Sequence, residues 1–265
     1  MKAQFSRRLV GVAHLACAFC LAAATLFTTT SARGDDVPSS DKWMFQLTPY
    51  LWLASLSGTV GVSQNLPTMS LDASFGDIFQ NLDAGIMAVG TARKGRFVAL
   101  TDISYVSLSA DSDGSTALLG SAHANAKSFN STIEGGYQVV QSPHANVDLL
   151  GGLRVFSVSN TIDFSGGILS ARSAESSDTW VDPVIGVNAN APLGSGFSLN
   201  GYFDFGGFGI DGDWTWQIYA GGAYDISDMI RAYAGYRYLD VHHENDGFIY
   251  DVSQQGPMLG LGIRF

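Results

Sequence analysis

The stretch GPMLGLGIRF (256–265) sets Leu259, Leu261, Ile263 and Phe265 on one parity and Gly260, Gly262 and Arg264 on the other. A period of two is the mark of a strand with two unlike faces. Here one face is apolar throughout, and the pattern runs into an aromatic final residue where most chain ends fray into polar ones. Working back from it, the same alternation marks ten candidate strands, at about 43–62, 83–94, 97–109, 125–140, 147–160, 179–192, 197–210, 214–226, 230–243 and 250–265. One parity collects apolar side chains such as Phe97, Ile103, Ile133, Tyr137, Leu149, Leu153, Leu199 and Phe205. The other holds Arg93, Asp102, Glu134, Asp148, Arg154, Asp182, Asp204, Arg231, Arg237 and Arg264, among many Gly, Ser, Asn and Gln.

The connections fix the architecture. Every second one is a tight turn: RKGR (93–96), QSPHAN (141–146), PLGSG (192–196) and ISDM (226–229). Those between are mostly longer and polar (63–82, 111–124 and 161–178), with the shorter DGD (211–213) and HENDGF (243–248). Short turns at one end and long loops at the other describe an up-and-down barrel of the outer-membrane kind. The expected fold is therefore all-β: an antiparallel transmembrane barrel of ten strands, with eight as the alternative. An even count sets both termini at the short-turn end, the periplasmic side, and the last strand must pair with the first because an open edge cannot face lipid. A soluble lipocalin-like barrel would show the same alternation with its faces inverted.

Two features depart from the pattern. In SFGDIFQNL (74–82), Phe75, Ile78, Phe79 and Leu82 recur at helical spacing, so a short helix is expected in the first long loop, plugging the barrel mouth or lying on its rim. Pro49, Pro183 and Pro257 fall inside strands, where each removes a ladder donor. Bulges or interface-level positions suit Pro183 and Pro257; nothing in the sequence accommodates Pro49.

Composition agrees. The 265 residues carry net charge −10, 31 Gly and 12% aromatics, and only 14% are charged, against about 25% in an ordinary soluble domain. The acidic balance argues against a nucleic-acid partner. Residues 1–34 read as an address: Lys2, Arg7 and Arg8, then the apolar LVGVAHLACAFCLAAATLF, then small residues with cleavage expected after Ala32 or Gly34. Residues 35–42 form a polar leader and 43–265 a single barrel domain. Cys17 and Cys20 both lie in the apolar run, which leaves the expected mature chain without disulfides or thiol chemistry.

The chemistry is weighed residue by residue. Five cations and five anions on the lumen parity suggest mutual pairing in a filled lumen, since an unpaired buried charge is costly; the alternative is a narrow path for ions or small solutes. Acidic residues crowd the long connections, including Asp72, Asp77, Asp163, Glu175 and Asp178, as a solvated surface or a divalent-cation site. DSDGS (111–115) carries only a fragment of a calcium loop. His242 and His243, beside Glu244 and Asp246, contain the elements of a general base, but no nucleophile motif accompanies them. No catalytic, cofactor or metal residue is assigned.

The final strand resembles the assembly signal of bacterial outer-membrane barrels: Gly260, Ile263 and Phe265 match it, and Met258 departs from it. TPYLWLASLSGTVGV (48–62), ARKGRF (92–97), WVDPVIG (180–186), FGGFGI (205–210) and AGYRYLDV (234–241) resemble a group of small proteobacterial outer-membrane barrels, similar in style to the outer-membrane protein A and W barrels. The resemblance implies insertion by the barrel-assembly machinery and a surround of outer-membrane lipid and lipopolysaccharide. It implies no activity. The expected role is structural or interactive at the cell surface; a pore is the alternative, and an enzyme acting on protein or lipid A is a distant one.

Overall fold

The alternation read from the sequence becomes a closed wall. A computed structural model of the chain describes residues 42–61, 68–112, 120–166, 172–209 and 213–265; the expected signal segment (1–34), nearly all of the polar leader (35–42), and much of DSDGS lie outside them. The wall consists of β1 (Met44–Trp52), β4 (Leu82–Lys94), β5 (Phe97–Ser112), β6 (Gly120–Gln141), β7 (Asn146–Gly166), β8 (Arg172–Gly194), β9 (Phe197–Gly206), β10 (Trp214–Asp225), β11 (Ile230–Asn245) and β12 (Phe248–Arg264). Each pairs antiparallel with its neighbour, and β1 pairs with β12 to close a ten-strand barrel. Two further strands, β2 (Ser55–Gly61) and β3 (Met69–Ala73), form a hairpin on the outer part of β12.

At the closing seam Phe45 and Phe265 exchange both backbone hydrogen bonds at 3.0 Å, and their rings stack at 5.9 Å. β1 and β2 hold one continuous register along β12, so together they are the single first strand that the sequence indicates. The prolines explain its interruptions. The amides of Phe45 and Leu53 both point at β12, so Pro49, lying between them on the same parity, withholds a donor from the seam, and the β1–β12 ladder skips Thr48 and Pro49. Pro257 faces the same seam, where its carbonyl accepts from Leu53 at 2.9 Å. A Cβ on the adjacent Gly256 would stand 2.1 Å from the Leu53 carbonyl oxygen, so only glycine permits this approach. Pro183 sits where the β8–β9 ladder has just ended, and its carbonyl accepts from Gly207. Each missing donor lies where a ladder stops.

Apolar residues face outward as the alternation requires: Phe97, Ile133, Leu149, Ile185, Leu199 and Leu259 are all exposed on the wall. On lipid such a band is favourable, and in water it would be a large aggregating patch. The connections expected at 111–124 and 161–178 are in large part strand. Asp111 pairs across to His123, and Asp163 to Ser173, because Ser, Thr and Asn side chains let the ladder continue into water. Helix α1 (Phe75–Gln80) starts at Ser74, whose hydroxyl caps the Asp77 amide while the Asp77 carboxylate accepts from the Ser74 amide. None of its residues is buried, which puts it on the rim and leaves the mouth to be filled by something else.

Candidate functional site: a layered lumen

The lumen is stacked in layers along the barrel axis. Charged pairs run from the middle of the barrel down to the short-turn end. Arg93 on β4 donates to both oxygens of Asp148 on β7, at 2.9 and 2.6 Å. Arg154 on β7 donates to Asp204 on β9, with neither side chain exposed. Arg237 on β11 reaches Asp102 on β5 at 2.7 Å, donates to the Tyr50 hydroxyl at 2.9 Å, and lies 4.7 Å over the Trp52 ring. Three of the five expected cations thus pair with three of the expected anions. The remaining two, Arg231 and Arg264, converge on Asp225 at the foot of β10, which the strand pattern leaves beside a turn. Glu134 instead accepts from Tyr202 at 2.6 Å, and neither it nor Asp182 joins a salt bridge among the described residues.

Above the charges toward the long-loop end, the lumen turns apolar. Phe156 and Val158 from β7, Trp180 from β8, Leu239 and Val241 from β11, and Phe248, Tyr250 and Val252 from β12 form one buried cluster. Trp180 stacks on Phe156 at 5.0 Å. These residues share the lumen parity with Arg154, Asp182 and Arg237, so they fill the barrel from within. Sequence reasoning missed them by treating the whole lumen parity as polar. The signal was there: in Val155-Phe156 and in Phe248-Ile249-Tyr250 both parities are apolar, which one lipid face cannot explain.

At the long-hairpin mouth this plug is capped by His243. Its ring lies parallel to Trp180, 4.0 Å away and tilted by 2°. Nδ1 is 2.6 Å from an Asp213 oxygen and Nε2 is 3.1 Å from an Asp178 oxygen. Burial pushes the Asp178 carboxyl up, but hydrogen bonds from His243, the Thr179 amide and Asn245 outweigh it and hold the group below its ordinary value. His242 points to the opposite face, where its ring stacks on Trp214 at 5.8 Å. Consecutive strand residues face opposite ways, so the two histidines do not form one site. A recess of about 240 Å³ beside His243 is lined by Trp180, Asp182, Asp213 and Glu244.

Below the Arg154–Asp204 pair, toward the short turns, the lumen is hollow, and the other charged pairs lie along its wall. A cavity of about 530 Å³ is lined by Met44, Gly95, Gln141 and Asn146 at its turn end and by Asp102, Tyr202, Gln217 and Arg237 at its floor.

No family model matches the sequence, and no curated protein matches it. Solved structures do. The outer-membrane protease OmpT from Escherichia coli superposes with TM-score 0.54 at 10% identity, over 87% of this chain and 99% of that one. The fold is that of an outer-membrane β-barrel. The transport unit of the autotransporter AIDA-I from Escherichia coli matches with TM-score 0.41 at 9% identity, over 91% and 94% of the two chains. The translocator domain of the autotransporter NalP from Neisseria meningitidis matches with TM-score 0.40 at 14% identity, over 84% and 87%.

Within that barrel, all ten expected charges lie buried or half-buried on the lumen side, Arg264 at its rim on Asp225. Gly260, Ile263 and Phe265 lie on β12 or just past its end, with Ile263 and Phe265 on the lipid face and Gly260 turned inward. There Gly260 leaves room for Thr48 and Tyr50 on the facing strand.

Proposed function

We propose that this protein is a sealed outer-membrane barrel with a structural or interaction role at the cell surface, both termini in the periplasm and the long hairpins outside. The single observation that carries the reading is the apolar plug from Phe156 to Val252, seated on mutually paired charges. Ions cross a dry apolar layer only at high cost, and a small barrel is readily filled by its own side chains. The hairpins of β5–β6 and β7–β8, prolonged beyond the lipid band, supply the surface that partners would meet.

His243 is read as part of the seal. A general base needs a free lone pair on its ring, and both ring nitrogens of His243 face carboxylates. The test is conductance of the purified barrel in a planar lipid bilayer. The sealed barrel gives no steady current, and replacing Trp180 and Phe156 by Ala together opens one. Reproducible ion-selective steps from the unaltered protein overturn the reading and favour the pore. For location, a protease added to intact cells should cut the hairpins and spare an amino-terminal tag.

A further inference from the structure

We propose that the cavity at the short-turn end binds a neutral, polyhydroxylated ligand of the saccharide class, seated on Tyr219. The proposal rests on the sealed-barrel reading, since the plug leaves this cavity one mouth. Its size, about 530 Å³, lies within the range of small-molecule sites. Its charges are already spent within the wall: Arg93 on Asp148, Arg237 on Asp102, and Arg231 on Asp225. A charged ligand would have to break one of these pairs; a neutral one would not.

What remains on the wall is amide and phenol. Gln46, Asn188, Asn190 and Asn200 line the cavity, and each side-chain amide offers two donors and an oxygen with two lone pairs. The wall uses part of that capacity: Asn190 donates to Asn200 at 2.9 Å, Asn188 to Asp148 at 3.0 Å, and Gln46 to Tyr233 at 2.9 Å. Paired donors and acceptors at close spacing match vicinal hydroxyls.

Tyr219 is the second, independent observation. Its hydroxyl is buried with no hydrogen-bond partner among the described residues, a state that costs free energy until something pairs with it. Its ring lies against the wall over Gly221 and Gly235, where a Cβ would come within 2.5 Å of the hydroxyl oxygen and 2.6 Å of a ring carbon. Two facing glycines therefore make the seat that holds the ring flat. A sugar ring has an apolar C–H face for such a platform and a rim of hydroxyls for the amides and for the Tyr219 oxygen.

The experiment uses the folded barrel in detergent, titrated calorimetrically with maltose and N-acetylglucosamine, and with toluene and sulfate as apolar and anionic probes. Saturable binding of a saccharide is expected, weakened about tenfold or more by Tyr219→Ala through loss of an aromatic contact and a hydrogen bond. Tyr219→Phe keeps the ring on its glycine seat and is expected to bind several-fold more weakly. Absence of saccharide binding to the unaltered protein, or preference for toluene or sulfate, overturns the proposal. So does unchanged affinity in whichever of the two variants retains the heat-dependent gel shift of a folded barrel. The two readings fail separately: steady conductance sinks the sealed barrel and leaves Tyr219-dependent saccharide binding intact, whereas a silent barrel that binds no saccharide sinks this inference alone.

Discussion

Arg154 shows what a single lumen residue costs and contributes. It is fully buried, donates to Asp204, Thr132 and Thr215, and is closed off from bulk solvent. Replacing it by Met leaves the buried Asp204 carboxylate with only the neutral donors Tyr202 and Gln217, and a broken buried pair costs about 3–5 kcal/mol. The expected result is a large drop in the urea midpoint of the refolded barrel, much of it recovered when Asp204→Leu is added. At the long-hairpin mouth the sign of the pH response follows from Asp178. A carboxylate held below its ordinary value stabilises the fold above about pH 3.9 and loses that contribution as pH falls through the lowered folded value. The contacts of His243 with Asp178 should thus survive mild acid and loosen only below about pH 4, read as a change in tryptophan emission from Trp180. Asp178→Asn should remove that acid step.

At the scale of elements, the ladder between β6 and β7 depends on close approach. A Cβ on Gly152 would lie 1.9 Å from the Ile133 carbonyl oxygen, so Gly152→Ala must push two central strands apart. Its expected signature is loss of the heat-shifted folded species on gels. Phe265 is mostly exposed and is joined to β1 by paired backbone bonds. Phe265→Ala should lower the amount of barrel in outer membranes while exposed hairpin substitutions leave it unchanged. Strand number, turn positions and the outward face were legible because period two and tight turns are local properties. The short helix was legible for the same reason, from the spacing of Phe75, Ile78, Phe79 and Leu82; its Ser74–Asp77 cap emerged only in the structure. The plug was not, because Phe156, Trp180 and Val241 come together only after strands distant in sequence close into a ring. Nor was Asp225, whose two arginines arrive from β11 and from the end of the chain. Local pattern places a side chain on a face; it does not say at what height, or opposite what.

For the whole molecule the decisive property is axial asymmetry: an apolar stopper at one end, a hollow at the other, and the Arg154–Asp204 pair between. A sealed barrel of this form should admit a small thiol reagent to Asn190→Cys from the short-turn end only, which labelling of oriented vesicles measures. The closing seam has a different consequence. Every other joint in the wall is sewn between strands that follow one another in the chain, with only the β2–β3 hairpin between β1 and β4, whereas this one joins the two ends, and it drops stitches at Pro49 and again at Pro257. A cylinder squeezed by lateral pressure from the bilayer yields at its weakest weld, so the wall should breathe along this line first. Amide protons of Leu51 and Leu259, flanking the gap, would then trade with deuterium sooner than those of Leu149 or Val187 on the far side of the ring.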